Sequence, residues 1–390
     1  MRISHRWLVL SVFVLSSTIN YLDRQTLATL APVLRVELRL SNADYGWIVA
    51  AFSITYAVCA PFAGLLIDRI GLYRGISLAI GVWSLAGLAT GWVRGFGDLL
   101  LCRAALGAAE AGGIPAAGKA IQQYLKPPER ALGNSLNQAG VSLGLVLAPP
   151  LATWIAVRYG WRAAFMATAV IGLLWIPLWR VFGSDGRVSP VASTQSANVL
   201  RDRRLWGFAA ANAFSMIPYS LWTNWTTLHL VDVNRLSFVA AAWFAWLPPL
   251  FGALGGIAGG ALSFRWINTG LDALAARKQV CLAAAGACLV TAAVPWAPSA
   301  ALAVVLISLS FFSVAAFSVN MYSMPLDAFA ADRAAFAVSL LVSAYGAMQA
   351  VVSPALGAVV DHYGYTPVCV GASLMPLVAV AILNWTETRR

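Results

Sequence analysis

Apolar stretches of about 18 to 27 residues recur along the entire chain, separated by short polar breaks, and nothing else in the sequence constrains the fold as strongly. As a helix rising about 1.5 Å per residue, each is long enough to cross a hydrocarbon layer ~30 Å thick. The composition agrees: 60% of the 390 residues are hydrophobic and only 11% charged, against roughly a quarter charged in an average soluble domain. Twelve spans are expected, near residues 7–31, 45–67, 75–93, 99–124, 132–157, 162–182, 205–230, 238–262, 279–297, 300–325, 335–360 and 366–385. Arg2 and Arg6 precede the first apolar core as they would in a secretory leader, but no small-x-small cleavage pattern follows Leu15, so this span is expected to be retained.

The net charge of +11 would suggest a nucleic-acid partner in a soluble protein. Here its distribution matters more. With a cytoplasmic N-terminus, 17 basic residues fall on the cytoplasmic side, among them Arg69, Arg74, Lys126, Arg204 and Arg277, and 6 on the other, Arg39 and Arg235 included. That bias puts both termini in the cytoplasm, as an even number of spans requires. The basic residues are scattered over short loops, so no nucleic-acid partner is expected. Cys59, Cys102, Cys281, Cys288 and Cys369 lie within spans at spacings that fit neither a metal site nor a disulfide framework. With His5, His229 and His362 at helix ends forming no ligand pair, neither metal nor cofactor is expected.

One inter-span segment is long and polar, GSDGRVSPVASTQSANVLRDRR from Gly183 to Arg204. It divides the chain into a bundle over 1–182, a flexible cytoplasmic linker over 183–204 and a bundle over 205–390. The halves share sequence: Gly64 to Arg69 at the end of the second span matches Gly260 to Arg265 at the end of the eighth, and PPLATWIAVRYGW from Pro149 aligns with PALGAVVDHYGY from Pro354. The fold class is therefore an all-α membrane protein of twelve transmembrane helices in two six-helix bundles. Parallel repeats of this kind are a transporter design whose substrate site lies near mid-membrane.

Few ionisable side chains lie away from span ends: Asp23 and Arg24 in the first span, and Arg103, Glu110 and Lys119 in the fourth. Each costs about 2.5 to 3.5 kcal/mol at a helix centre on insertion scales, so each should face the protein interior with a partner or a task. Arg103 and Glu110, seven residues apart, share a helix face. Lys119, near the cytoplasmic end, is expected to snorkel. Two readings stand for the other four: buried ion pairs that fix helix packing, or arginines that bind a substrate carboxylate beside carboxylates that carry protons. The glycines of the fourth and fifth spans, such as Gly107, Gly113, Gly118, Gly140 and Gly144, suit close helix approach and define no site. The second half offers uncharged polar groups (Asn212, Tyr219, Trp222, Asn224, Asn320, Tyr322, Tyr345 and Gln349) that suit a polyol chain or packing equally well.

The segment Gly64 to Arg74, GLLIDRIGLYR, resembles the signature of the major facilitator superfamily, a likeness that extends over essentially the whole chain. It implies a cytoplasmic gate of Gly64, Asp68, Arg69 and Arg74, with Asp68 capping the helix that starts near Asp332 to Ala335. NYLDRQTL from Asn20, the Arg103-to-Glu110 spacing and YGWRAAF from Tyr159 resemble the anion:cation symporter family and its hexuronate transporters. That resemblance implies Asp23 and Glu110 as proton-coupling carboxylates, Arg24 and Arg103 as substrate-anion ligands and Tyr21 and Tyr56 as cavity aromatics. Gln138 and Asn224 complete the expected substrate contacts. Phe264 stands where many members keep an aspartate, and Ser343 to Gln349 lacks the asparagine often found in that region.

The expected activity is proton-coupled symport of a small organic anion, a hexuronate or related sugar acid, by alternating access. The alternative is a facilitator or symporter of another monocarboxylate or a neutral solute. The chain is expected to be a monomer in a bacterial inner membrane and not an enzyme, since the spans offer no nucleophile and base pair.

Overall fold

In a bilayer every backbone polar group must be bonded within the protein, and helices meet that demand segment by segment. The computed structural model describes residues 5–126, 129–183, 202–329 and 331–387, with side chains of 61, 131, 331–336 and 387 excepted. Among these residues there is no strand. The helices are α1 (His5–Glu37), α2 (Asn42–Ile70), α3 (Leu72–Thr90), α4 (Phe96–Glu110), α5 (Gly113–Tyr124), α6 (Arg130–Tyr159) and α7 (Trp161–Phe182). They continue as α8 (Arg203–Ser215), α9 (Ile217–Asp232), α10 (Phe238–Phe244), α11 (Leu247–Asn268), α12 (Ala273–Cys288), α13 (Ala300–Ala328), α14 (Ala331–Tyr363) and α15 (Tyr365–Glu387). A 3-10 stretch, Leu289–Trp296, extends α12. The expected linker falls almost wholly on 184–201, outside the described residues.

Among the described residues, ten of the expected spans are helices long and apolar enough to cross a membrane. The other two positions are also helical but more polar: α1 carries Asn20, Asp23, Arg24 and Gln25, and the pair α8 and α9 carries Asn212, Asn224 and His229. The chain forms two compact units. One holds α1 to α7 together with Phe238–Trp246, so that α10 rests on α6 and α1; the other holds α8, α9 and α11 to α15. In the first unit α1 packs on α6 and α7, and α2 on α4. In the second, α13 packs on α11 and α12, and α8 on α15 and α14.

The backbone angles reveal the internal repeat. Six described residues have positive φ, and they form three pairs at corresponding joints of the two halves: Arg39 (53°) with Arg235 (55°), Gly71 (84°) with Gly270 (97°), and Gly160 (86°) with Gly364 (73°). Gly71, Gly160 and Gly364 are each the only residue between two successive helices, and a reversal that short needs a left-handed residue. Arg39 and Arg235 each open an Arg-Leu-Ser sequence. Ser41 then caps α2, its side chain accepting from the Asp44 amide while the Asp44 carboxylate accepts from the Ser41 amide.

Candidate functional site

The site is built where α1, α2 and α4 converge. Gly107 sets the approach: a Cβ there would stand 2.3 Å from the Phe52 carbonyl oxygen, so only glycine lets α4 lie this close to α2. Thr55 ties the two helices by donating to the Ala104 carbonyl at 2.7 Å. α6 sits on α1 by the same means at Gly144, where a Cβ would meet the Thr18 carbonyl oxygen at 2.4 Å. Gly113 and Gly118 have open space in the Cβ direction, so the glycine-rich run holds positions of different kinds.

Over that contact Arg24 donates from Nε to Oε2 of Glu110 at 2.6 Å. Glu110 is wholly buried, while the Arg24 side chain keeps 23% of its surface exposed. The guanidinium carbon lies 5.1, 4.7 and 4.8 Å from the ring centroids of Tyr21, Phe52 and Tyr56, an aromatic cage that suits a cation. Arg103 faces the same Phe52 ring at 4.9 Å and lies within electrostatic reach of Glu110, Tyr45, Arg24 and Asp23. Asp23 is buried on α1 beside Thr168 of α7, whose hydroxyl donates to its own Phe165 carbonyl at 3.1 Å.

The cluster is charge-balanced, with two carboxylates and two guanidiniums, but far from saturated with hydrogen bonds. By strict distance and angle both oxygens of Asp23, Oε1 of Glu110, Nε of Arg103 and Nδ2 of Asn20 are buried without a hydrogen bond among the described residues, although Thr168 stands beside Asp23 and Asn20 beside Glu110, each near enough to bond after a small movement. Buried polar groups that only hold a fold together are generally satisfied, because each orphan costs about 1 to 3 kcal/mol. Unspent donors and acceptors beside an arginine that uses only Nε on its carboxylate form a site with capacity for another anion and for protons. The sequence brought Asp23, Arg24, Arg103, Glu110, Tyr21 and Tyr56 forward, and the structure gathers all six. It adds Phe52, Tyr45, Thr168 and Asn20. Of these only Asn20, inside NYLDR, stood out from the apolar pattern. Gln138 sits exposed on α6, and no hydrogen bond among the described residues ties it to the cluster.

At the far end of α2 the expectation for Lys119 is corrected. It does not snorkel: it is 8% exposed and donates to Asp68 Oδ1 at 2.7 Å and to the Ile67 carbonyl at 3.0 Å. The small residues Ala116, Ala117 and Ala120 let α5 pack tightly enough to deliver the ammonium to the carboxyl end of α2, where a cation is stabilised. Asp68 itself is 70% exposed, Arg69 and Arg74 are exposed, and Gly64 rests 3.8 Å from Pro115 at its Cβ position. The side chains of 332–335, the expected partners of Asp68, lie outside the described residues.

In the second unit the polar candidates separate into two groups. Asn212 donates to the Leu341 carbonyl (2.8 Å), Asn320 to Gly259 and Ala316 carbonyls (3.1 and 2.9 Å) and Trp222 to Ser310 (3.0 Å); all three are buried and tie helices together, while Oδ1 of Asn212 and of Asn320 has no hydrogen-bond partner among the described residues. Tyr219 and Tyr345 meet edge to face at 6.2 Å, Gln349 donates to Ser220 at 3.2 Å, and Asn224 donates to the Ser220 carbonyl at 2.9 Å. These four are only partly buried.

Ionisable residues inside membrane helices are the usual mark of substrate and ion pathways, which points to a transporter class. The family model described as Major Facilitator Superfamily matches residues 13–340, and the chain belongs to that superfamily. It is a multi-pass membrane transporter and not an enzyme. It is 28% identical over 406 aligned positions to the hexuronate transporter of Escherichia coli (strain K12), covering 98% of this chain and 93% of that protein. It is 30% identical over 277 positions to the galacturonate transporter of Dickeya chrysanthemi, covering 65% and 80%. Among solved structures, a bacterial homolog of the human lysosomal transporter Spinster, inward-facing and occupied, superimposes with a TM-score of 0.82 at 19% identity, covering 100% of this chain and 98% of the other. The chain is thus a superfamily transporter related to hexuronate and galacturonate transporters.

Proposed function

We propose that this protein is a proton-coupled symporter of a hexuronate or related sugar acid, working by alternating access in the bacterial inner membrane. In this reading it is a monomer with both termini in the cytoplasm. The observation that carries the proposal is the Arg24–Glu110 pair, closed through one guanidinium nitrogen and surrounded by unpartnered buried polar atoms. The names of the two relatives supply the substrate class.

The pair works as an exchange. With Glu110 ionised, Arg24 is engaged and the substrate carboxylate must compete for it. A proton arriving at Glu110 neutralises the carboxylate, weakens the charge-assisted hydrogen bond and frees the guanidinium for bidentate capture of the sugar-acid carboxylate. Arg103 contributes the second positive charge, and Asp23 is the second carboxylate of the proton pathway. Tyr21 and Tyr56 flank the substrate. After reorientation the anion leaves, Arg24 recaptures Glu110 and the proton departs on the same side. Gln138 and Asn224 serve as hydroxyl-binding groups, and Gly64, Asp68, Arg69 and Arg74 form the cytoplasmic gate.

The test is uptake into proteoliposomes with a pH-sensitive dye inside. Galacturonate added outside should acidify the lumen as protons enter with it, and Asp23→Asn should abolish the signal. Saturable galacturonate uptake without proton movement would replace symport by facilitated diffusion, and absence of binding to any uronate would remove the substrate class.

A further inference from the structure

The second unit holds a cavity of about 950 Å³ where the start of α8 meets the end of α15, lined by Arg203, Arg204, Trp206, Gly207, Trp385 and Thr386 among others. None of these residues belongs to the charged cluster of α1, α2 and α4. The floor is built tightly: a Cβ on Gly207 would stand 2.3 Å from Thr386 Cγ2, so the helices touch there and leave the space above them open. One wall is fixed as well. Asp202 caps α8 by accepting from the Arg204 amide at 2.9 Å and pairs with the Arg204 side chain at 2.8 Å, whose guanidinium lies 5.3 Å from the Phe329 ring centroid. Arg203 beside it is exposed, with no ion pair among the described residues. Trp206 and Trp385, also in the lining, are 52% and 58% exposed.

We propose that this cavity binds the headgroup phosphate of an anionic phospholipid. Among the described lining residues there are two guanidiniums against one carboxylate, which sets the sign of the ligand and leaves a fork suited to a phosphate diester. The size argues against a free ion, because a bare phosphate displaces only a few water volumes of ~30 Å³ each and would leave most of the space empty. The exposed indoles complete the chemistry. Tryptophan with one apolar and one polar edge is suited to the boundary between headgroups and acyl chains, and two of them line this cavity with the arginines. Basic pockets between membrane helices on the cytoplasmic side bind such headgroups, and the orientation proposed above, on which this proposal rests, puts the cavity on that side.

The experiment is native mass spectrometry of the full-length protein in detergent, titrated separately with dioleoylphosphatidylglycerol, dioleoylphosphatidylcholine and inorganic phosphate. Wild type should retain phosphatidylglycerol selectively, and millimolar phosphate should not displace it. Arg203→Gln should weaken retention about fivefold, the effect of one basic residue near an anionic surface. Equal retention of the two lipids, displacement by phosphate, or undiminished phosphatidylglycerol binding by Arg203→Gln would each overturn the proposal. Should Arg203→Gln not be recovered folded, Trp206→Leu decides in the same way, with weakened retention expected.

Discussion

Glu110→Gln isolates the charge of the central carboxylate from its shape. The amide keeps the size of Glu110 and an oxygen that can accept from Arg24 Nε, but it cannot ionise. In wild type at alkaline pH the substrate must displace an ion pair closed at 2.6 Å, whereas in the variant Arg24, still cationic, donates to a neutral amide oxygen, so what is lost is the ion-pair attraction. A partly exposed ion pair contributes about 0.2 to 1 kcal/mol, and because Glu110 is wholly buried while the Arg24 side chain is 23% exposed, the upper end, about 1 kcal/mol, is the appropriate figure. The variant should therefore bind galacturonate about fivefold tighter than wild type at pH 8, and its affinity should lose the dependence on pH that Glu110 confers. Transport should change in the opposite sense. One proton moved down a unit of ΔpH supports about tenfold accumulation of substrate, since a pK unit is ~1.4 kcal/mol. Glu110→Gln should accumulate none while still exchanging labelled for unlabelled galacturonate. Isothermal calorimetry at two pH values and parallel counterflow and uphill-uptake assays measure both halves. Uphill accumulation in the variant, or an alkaline affinity equal to wild type, would refute the exchange of Arg24 between Glu110 and substrate.

Further outcomes can be stated briefly. Arg24→Ala and Arg103→Ala should each reduce galacturonate affinity by tenfold or more in a binding titration, because carboxylates would remain in the cavity without counter-ions; unchanged affinity in both removes the anion-site assignment. Asp68→Asn, which strips the charge facing Lys119, should lower the counterflow rate with little change in affinity, and an unaltered rate assigns the gate elsewhere. Gly107→Leu should lower the detergent melting temperature, with a cost of about 1 to 3 kcal/mol from overpacking against Phe52, and a melting point equal to wild type would contradict the contact. Asp202 is held below the usual carboxylate range by its hydrogen bonds with Arg204. Its capping contribution should therefore be present above the ordinary carboxylate range and be lost as pH falls through the lowered value, so Asp202→Ala should narrow its melting-point gap from wild type under strong acid.

Much of this was legible in the chain itself. The recurrence of apolar stretches dictated an all-helical membrane fold because a bilayer offers the backbone no other hydrogen-bond partners, and ionisable residues in those stretches are too costly to be incidental. Asp23, Arg24, Arg103 and Glu110 could be picked out on that ground alone. The repeat was partly visible in its two sequence matches, while the Arg-Leu-Ser pair at Arg39 and Arg235 became meaningful only once both arginines were seen in the left-handed region. The choice of partners was not legible. Sequence spacing relates residues on one helix, whereas the Arg24–Glu110 bond, the cage of Tyr21, Phe52 and Tyr56, and the burial of Lys119 against Asp68 depend on how closely separate helices approach. That approach is set by which glycines face a neighbouring backbone. Gly107 and Gly144 do, Gly113 and Gly118 do not, and an identical residue in an apolar run carries no mark of its direction until the helices are packed.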